Sequence, residues 1–382
     1  MAIMIPVSTT NTESLLKKII KKTDLTLLKP MLYRQVKLTT VNIIGVVLLF
    51  FTNNFLVKLL GEQDYGYYVI VNVWIQFFAV VIVFGMDDLF IATLPKFYFD
   101  TQRRKNTPGV FYWAVKICLA VLVLLVGSLL IAMQAGYFHP VLTENKLIFF
   151  SLLASLSFLL LIIAFFRGIN KVMIGQLVDK FFRPAVMFLM VAGMFFLQKK
   201  VLLQDILWLQ VFALLCGLVG MLIVFFNHFK TRAPTAGPFD KSLKKNVTFL
   251  GISLLYMLSV RLDIMFLTDA ARSEDVGYYN IAARISDLVG YPLTAINLIA
   301  PTLLAKEFHQ NKSRVLPLLR SIILLAIGGS VIGVLFVVIA GKSVLLFFGQ
   351  NFTGAFWPLI ILSFTHLLAA FALPFNTVLM VS

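Results

Sequence analysis

Ten long apolar runs restrict this chain more than any other feature. A helix needs about 20 mostly apolar residues to cross the hydrocarbon of a bilayer. Runs of that kind recur at roughly 39–59, 66–95, 110–133, 147–167, 182–197, 206–227, 247–268, 277–304, 317–340 and 355–380. The fifth is short and can extend back through Pro184. The composition agrees: 60% of residues are hydrophobic and 13% charged, where a soluble domain carries about 25% charged. These observations predict an all-α polytopic membrane protein. The N-terminus has no short apolar stretch followed by a small-residue cleavage site, so no cleaved signal peptide is expected.

The charges predict the orientation. With the N-terminus cytoplasmic, one face receives 24 of the 33 Lys and Arg residues and the other face receives six. Lys116, Arg261 and Arg284 remain inside the spans. An excess of basic residues marks the cytoplasmic side, so the asymmetry supports ten spans with both ends inside. It also accounts for the net charge of +16: the charge sets topology and meets anionic headgroups, and no nucleic-acid partner is expected. Within the basic segment 1–38, Leu15–Lys22 (LLKKIIKK) places apolar pairs four residues apart. That pattern suits a helix on the inner membrane surface and equally a frayed basic tail.

An internal echo organises the spans. Asp64–Tyr68 reads DYGYY and Asp275–Tyr279 reads DVGYY, an offset of 211 residues. Each stretch sits in a predicted outer loop and opens a long span. Six spans separate them, and an even number makes the repeat parallel. The expected organisation is a basic N-terminal segment (1–38), a six-helix lobe (39–227), a cytoplasmic linker (228–245) and a second lobe (246–382) with four helices visible. A six-span second lobe would need two more helices, so the chain reads as incomplete, with a ten-span form as the alternative.

The loops argue against catalysis. No loop between spans exceeds about twenty residues, and the large outer loop of membrane glycan polymerases and ligases is missing. The four histidines are scattered, the two cysteines stand alone, and neither set has metal-ligand spacing. Gly341-Lys342-Ser343 looks like the end of a phosphate-binding loop, but Phe336 occupies the position of its required glycine. No metal, cofactor or ATPase machinery is expected.

The charges inside the spans carry the functional expectation. Arg261 and Asp263 lie in the seventh span, where a charge costs roughly 2.5–3.5 kcal/mol by insertion scales. Two residues apart on a helix, they cannot pair with each other. The eighth span carries Arg284 and Asp287, spaced to share a face. A short loop makes these spans antiparallel neighbours, so the four charges are expected to pair in one cluster. The first half places Asn53, Asn54, Asn72 and Gln76 at comparable depth, and Gln76 plus 211 is Asp287. Two polar strips at one height suit a shared water-filled cavity; a network that merely ties helices together is the alternative. Asp87 and Asp88 are expected to be solvated near the inner surface, and Lys116 to snorkel. His366 is a candidate proton-linked group, or simply a hydrogen-bonded one. Pro292 falls mid-span, where proline kinks a helix, and is a candidate hinge or a static bend.

Several of these stretches also resemble a known family. Leu59–Tyr68 (LLGEQDYGYY) and the later Phe84–Asp88 (FGMDD) resemble the first half of polysaccharide flippases, and Phe165–Lys171 (FFRGINK) is similar to their loop after the fourth helix. Arg261–Leu267, Ser273–Arg284, Ile299–Lys306 and Phe352–Leu362 resemble their second half. The superfamily is the multidrug/oligosaccharidyl-lipid/polysaccharide exporters, and the branch resembles O-antigen (lipopolysaccharide) and capsule flippases. The resemblance spans about residues 35–382. It implies two parallel helical lobes around a central cavity that opens to each side in turn. It implies movement of a polyprenyl-pyrophosphate-linked oligosaccharide from the inner to the outer leaflet of a bacterial inner membrane, beside glycan-assembly proteins. Arg261 and Arg284 would meet the pyrophosphate or acidic sugars, and Asp263 and Asp287 would couple to protons or cations or balance charge. The alternatives are a drug/cation antiporter of the same superfamily and a membrane glycan-transferring enzyme.

Overall fold

The computed structural model of the protein describes residues 25–98, 107–198, 201–229, 243–291, 293 and 315–381. The LLKKIIKK stretch, the hinge candidate Pro292, the later part of the eighth span and most of the linker lie outside the described residues. Among the described residues the backbone is helical and forms no strand. Hydrocarbon offers backbone amides no partners, so a spanning segment must bond within itself.

The first helix, α1 (Leu25–Val83), is 59 residues long and is interrupted once, at Gly61 (φ 79°, ψ 176°). Its apolar part, Thr39–Val83, has 45 residues, about twice what one crossing needs. The break at Gly61 divides it into two arms, the first two predicted spans. A Cβ at Gly61 would meet nothing within 4 Å; glycine is required there for its backbone angle rather than for space. The second arm stops earlier than expected. Phe84 (φ 53°) and Gly85 (φ 66°) interrupt it, and α2 (Met86–Tyr98) follows as a separate helix. A close backbone crossing explains this. A Cβ on Gly85 would lie 2.5 Å from both the Asn246 oxygen and the Leu250 nitrogen.

The rest of the first lobe comprises α3 (Thr107–Gln134), the short α4 (Pro140–Glu144) and α5 (Lys146–Gly168). Then come α6 (Val172–Gln176), a π-helical turn (Leu177–Phe182), α7 (Arg183–Phe196) and α8 (Leu203–Phe229). The fifth span does extend back through Pro184, which sits in the first turn of α7. The π turn receives α1: a Cβ on Gly45 would fall 1.8 Å from the Lys180 carbonyl oxygen. Helix α5 is the centre of this lobe. In its most apolar window 67% of residues are buried, against 22–33% for the other candidate spans of the lobe. Phe165 on α5 meets Phe90, Phe111 and Phe225 at ring-centroid distances of 5.1–5.7 Å. In lipid such packing, rather than a hydrophobic drive, holds helices together.

The second lobe comprises α9 (Leu243–Ala270), α10 (Ser273–Val289), α11 (Val315–Leu346), a 3₁₀ turn (Asn351–Ala355) and α12 (Phe356–Val381). Glu274 and Asp275 lie in the first turn of α10, where the helix dipole favours negative charge. Among the described residues seven helices are long and apolar enough to cross a membrane, and the first of them, with its 45-residue apolar part, is long enough for two crossings. The fifth predicted span corresponds to α6, the π turn and α7, and the eighth begins in α10. The protein is thus a multi-pass membrane protein of two helical bundles.

Candidate functional site

The two bundles meet along α1 and α10, and the repeated five-residue motif forms the contact. A Cβ on Gly66 would lie 1.8 Å from the Ser273 carbonyl oxygen, and one on Gly277 would lie 3.1 Å from the Tyr65 ring. The two motif glycines therefore let α1 and α10 touch through their backbones. Tyr65 is fully buried at this crossing. Its hydroxyl donates to Asn53 Oδ1 at 3.2 Å and accepts from Asn280 Nδ2 at 3.1 Å. One phenol thus bridges two arms of α1 and a helix of the other lobe. Glu62 accepts from the Tyr278 hydroxyl and from Asn351 Nδ2 at 2.9 and 3.0 Å. Asn54, also buried, donates to the Phe347 carbonyl oxygen at 2.7 Å. Phe352 packs edge-on against Tyr65 and Tyr278. These contacts clasp the lobes at the Gly61 end of the bundle. At the other end α2 meets α9: Asn246 Nδ2 reaches Met86 Sδ at 3.2 Å, and Ser253 Oγ donates to Asp88 at 3.4 Å.

Beside the clasp lies a cavity of about 70 Å³. The first arm of α1 supplies Val46, Leu49, Phe50 and Asn53 to its wall. The other lobe supplies Ile281, Arg284, Ile285, Asp287, Leu288, Tyr291 and Phe348. The wall is mostly apolar, with one cation, one carboxylate, an amide and a phenol set into it. That is the usual make-up of a binding pocket, in which a few polar groups fix the orientation of a ligand.

The sequence-predicted site residues divide into two sets. Asn53, Arg284 and Asp287 come together in the cavity wall. Arg261, Asp263, Asn72 and Gln76 are outside it. Asn72 turns into the first lobe, where it exchanges hydrogen bonds with Gln210 of α8 (2.5 and 3.4 Å). Gln76 is half-buried. Arg261 stays within Coulomb range of Arg284, Asp287 and Asp263. The expected direct pairing of the four charges is not formed, however. Among the described residues no hydrogen bond or ion pair joins either arginine to either aspartate. Asp263 instead accepts from the Tyr279 hydroxyl and the Ile264 amide. Asp287 faces His366 of α12, with 3.8 Å between Oδ1 and Nε2. The residues missed in the sequence are Glu62, Tyr65, Tyr278, Asn280 and Asn351. The D-x-G-Y-Y echo contained the signal: both copies supply the clasp.

Asp87 lies in the first turn of α2. The side chain is half-buried, and its Oδ1 is buried without a hydrogen-bond partner among the described residues. No group of His, Cys, Asp and Glu that could hold a metal ion occurs among the described residues.

Comparison with known proteins places this architecture. The chain resembles an inward-facing multidrug-resistance MATE transporter of the MOP superfamily, with a TM-score of 0.68 at 14% identity over 90% of this chain and 84% of that one. It resembles the outward-facing form with a TM-score of 0.64, also at 14% identity, over 91% and 81%. A Vibrio cholerae MATE transporter mutant matches with a TM-score of 0.57 at 12% identity, over 91% and 82%. At these identities the superpositions show a shared fold and nothing further. No curated protein matches by sequence. The model of the family described as "Polysaccharide biosynthesis protein" matches residues 36–304. With that match over most of its length, the chain belongs to the polysaccharide biosynthesis protein family, and its fold is MATE-like, with two helical bundles.

Proposed function

We propose that this protein is an alternating-access flippase. Its substrate is a polyprenyl-pyrophosphate-linked oligosaccharide, carried from the inner to the outer leaflet of a bacterial inner membrane for surface polysaccharide synthesis. The observation that carries this reading is the cavity itself: Arg284 and Asn53, from different lobes, share one apolar-walled cleft. A glycan headgroup cannot enter hydrocarbon unaided, because its hydroxyls and phosphates would lose their water partners. A cleft between lobes, with polar groups in an apolar wall, supplies substitutes while the lipid tail stays in the bilayer. Arg284 is the group for the pyrophosphate, since a guanidinium matches phosphate oxygens in a bidentate fork. Arg261 adds positive potential nearby, and Asp263 and Asp287 balance charge.

In this reading the Gly61 end faces outward, in keeping with the Lys and Arg distribution, and the clasp is the outer gate. Family and fold point to a transporter rather than to an enzyme. The test is flipping of a fluorescent polyprenyl-pyrophosphate oligosaccharide in proteoliposomes. The reading expects transport by the wild type and its loss in Arg284→Ala with the fold intact. Undiminished transport in that variant would remove Arg284 from the route, and a wild type that moves drug cations instead would replace the substrate class.

A further inference from the structure

Lys58 and Lys342 stand apart on the face predicted to be outer. That face receives six of the 33 Lys and Arg residues, and these two lie near the outer ends of the first arm of α1 and of α11. Both side chains are exposed. Lys58 Nζ lies 5.1 Å from the centre of the Phe347 ring, and Lys342 Nζ lies 5.1 Å from that of Phe356. A ring face attracts a cation but leaves its charge in place. Among the described residues no carboxylate bonds to either ammonium. Glu62, four residues beyond Lys58, accepts from Tyr278 and Asn351 instead.

The surroundings of Lys58 differ from those of Lys342. Lys58 follows the cavity residue Asn53 by five residues, about 7 Å along the helix. Phe50 and Phe348 also line the cavity. Phe347, the ring under Lys58, stacks on Phe50 at 6.0 Å. It meets Phe51 and Phe348 edge-on at 6.5 and 6.1 Å. An aromatic strip therefore leads from the cavity to Lys58, and Phe51 and Phe347 in it are exposed. The strip lies where the lobes meet, because Phe50 and Phe51 belong to α1 and Phe347 and Phe348 follow α11. Phe356, under Lys342, begins α12 and is outside the cavity wall.

We infer that Lys58 is an exit site that receives the lipid-borne pyrophosphate from the cavity at the outer leaflet, with the polyprenyl tail along the exposed Phe51 and Phe347. The inference rests on the flippase reading of the cavity, with the Gly61 end outward. Charge and continuity select the occupant. An anion leaving Arg284 must pass the apolar wall of Leu49 and Phe50, where its oxygens have few partners. A cation beyond that wall draws it outward. An ammonium suits release, since it is a point charge on a flexible stem and lacks the bidentate fork of a guanidinium. A phospholipid of the outer leaflet has similar phosphate chemistry, and the experiment separates the two.

The full chain is placed in proteoliposomes, and the initial flipping rate of a fluorescent polyprenyl-pyrophosphate oligosaccharide is measured. Binding of the same lipid in nanodiscs is measured beside it. Lys58→Gln is expected to slow flipping about tenfold, the effect of one unit charge over roughly 12 Å at an effective dielectric constant near 20. Its binding affinity should stay that of the wild type, because Arg284 is untouched. Lys58→Arg should retain most of the rate. Lys342→Gln should retain both rate and affinity, which a shared role in anchoring the helices at the interface would not allow. External salt should slow the wild type more than Lys58→Gln, because an exposed charge is screened. An undiminished rate in Lys58→Gln, or equal slowing in Lys342→Gln, would overturn the inference and leave the flippase reading standing. A wild-type rate that drops to that of Lys58→Gln when phosphatidylglycerol is replaced by phosphatidylcholine would assign the site to a phospholipid and also overturn it. Absence of both binding and flipping in the wild type would instead overturn the reading of the cavity, and the inference with it. If Lys58→Gln does not fold, the salt series decides, and a wild-type rate indifferent to external salt counts against the exit site.

Discussion

Arg284 and Tyr65 divide the work at the scale of single residues. Arg284 offers charge to the cavity, and Tyr65 offers a hydroxyl to the wall between Asn53 and Asn280. Replacing Arg284 with Ala should lower flipping at least about tenfold, equivalent to about 1.4 kcal/mol of lost interaction. Arg284→Lys should restore only part of it, since an ammonium lacks the bidentate fork. Initial flipping rates in proteoliposomes measure both. Tyr65→Phe keeps the ring and removes the relay. Leaving the buried Asn280 and the half-buried Asn53 short of a partner costs about 1–3 kcal/mol, so the purified variant should melt several degrees lower. An unchanged melting temperature would mean that the hydroxyl bridge contributes nothing to the contact between lobes.

At the scale of elements, the crossing of α1 over α10 depends on the absence of side chains. The 1.8 Å between a Cβ at Gly66 and the Ser273 oxygen cannot be absorbed by a rotamer change, because the neighbour is backbone. Gly66→Ala should therefore push α10 away and loosen the Gly61 end. A fluorescent thiol probe at position 351, on a background with Cys118 and Cys216 replaced, should label faster in Gly66→Ala than with Gly66 present. Gly61→Ala is a contrasting case. The space there is empty, so only the positive φ resists substitution, and a loss of about 1 kcal/mol is expected. Thermal melting of the two variants side by side checks the order.

For the whole molecule, the question is whether the clasp must open. Glu62 accepts from Tyr278 and Asn351 across the lobes, and alternating access requires such contacts to part. Cysteines at 62 and 351, in a chain freed of Cys118 and Cys216, should be joined by a short bifunctional thiol reagent. Flipping should then stop and should return with a cleavable reagent after reduction. Full transport in the cross-linked protein would show that the Gly61 end stays shut throughout the cycle. It would move the exit path elsewhere.

The apolar runs determined by themselves that this chain crosses a membrane as helices, because hydrocarbon leaves the backbone no other choice. The Lys and Arg distribution predicted an orientation, and the 211-residue echo predicted two related halves. Each of these follows from residues close together in the chain. Partner choice does not. Asp287 was legible as a buried charge three residues from Arg284, but only the placement of α12 turns it to His366. Asn72 read as a cavity residue, and the packing of α8 gives it Gln210 instead. Asp263 read as an ion-pair member, and Tyr279 takes it. The D-x-G-Y-Y copies were visible 211 residues apart, yet nothing local states that they touch. Helix periodicity tells which residues share a face, whereas a hydrogen bond between lobes depends on where two helices cross. That crossing is decided by the summed packing of both bundles.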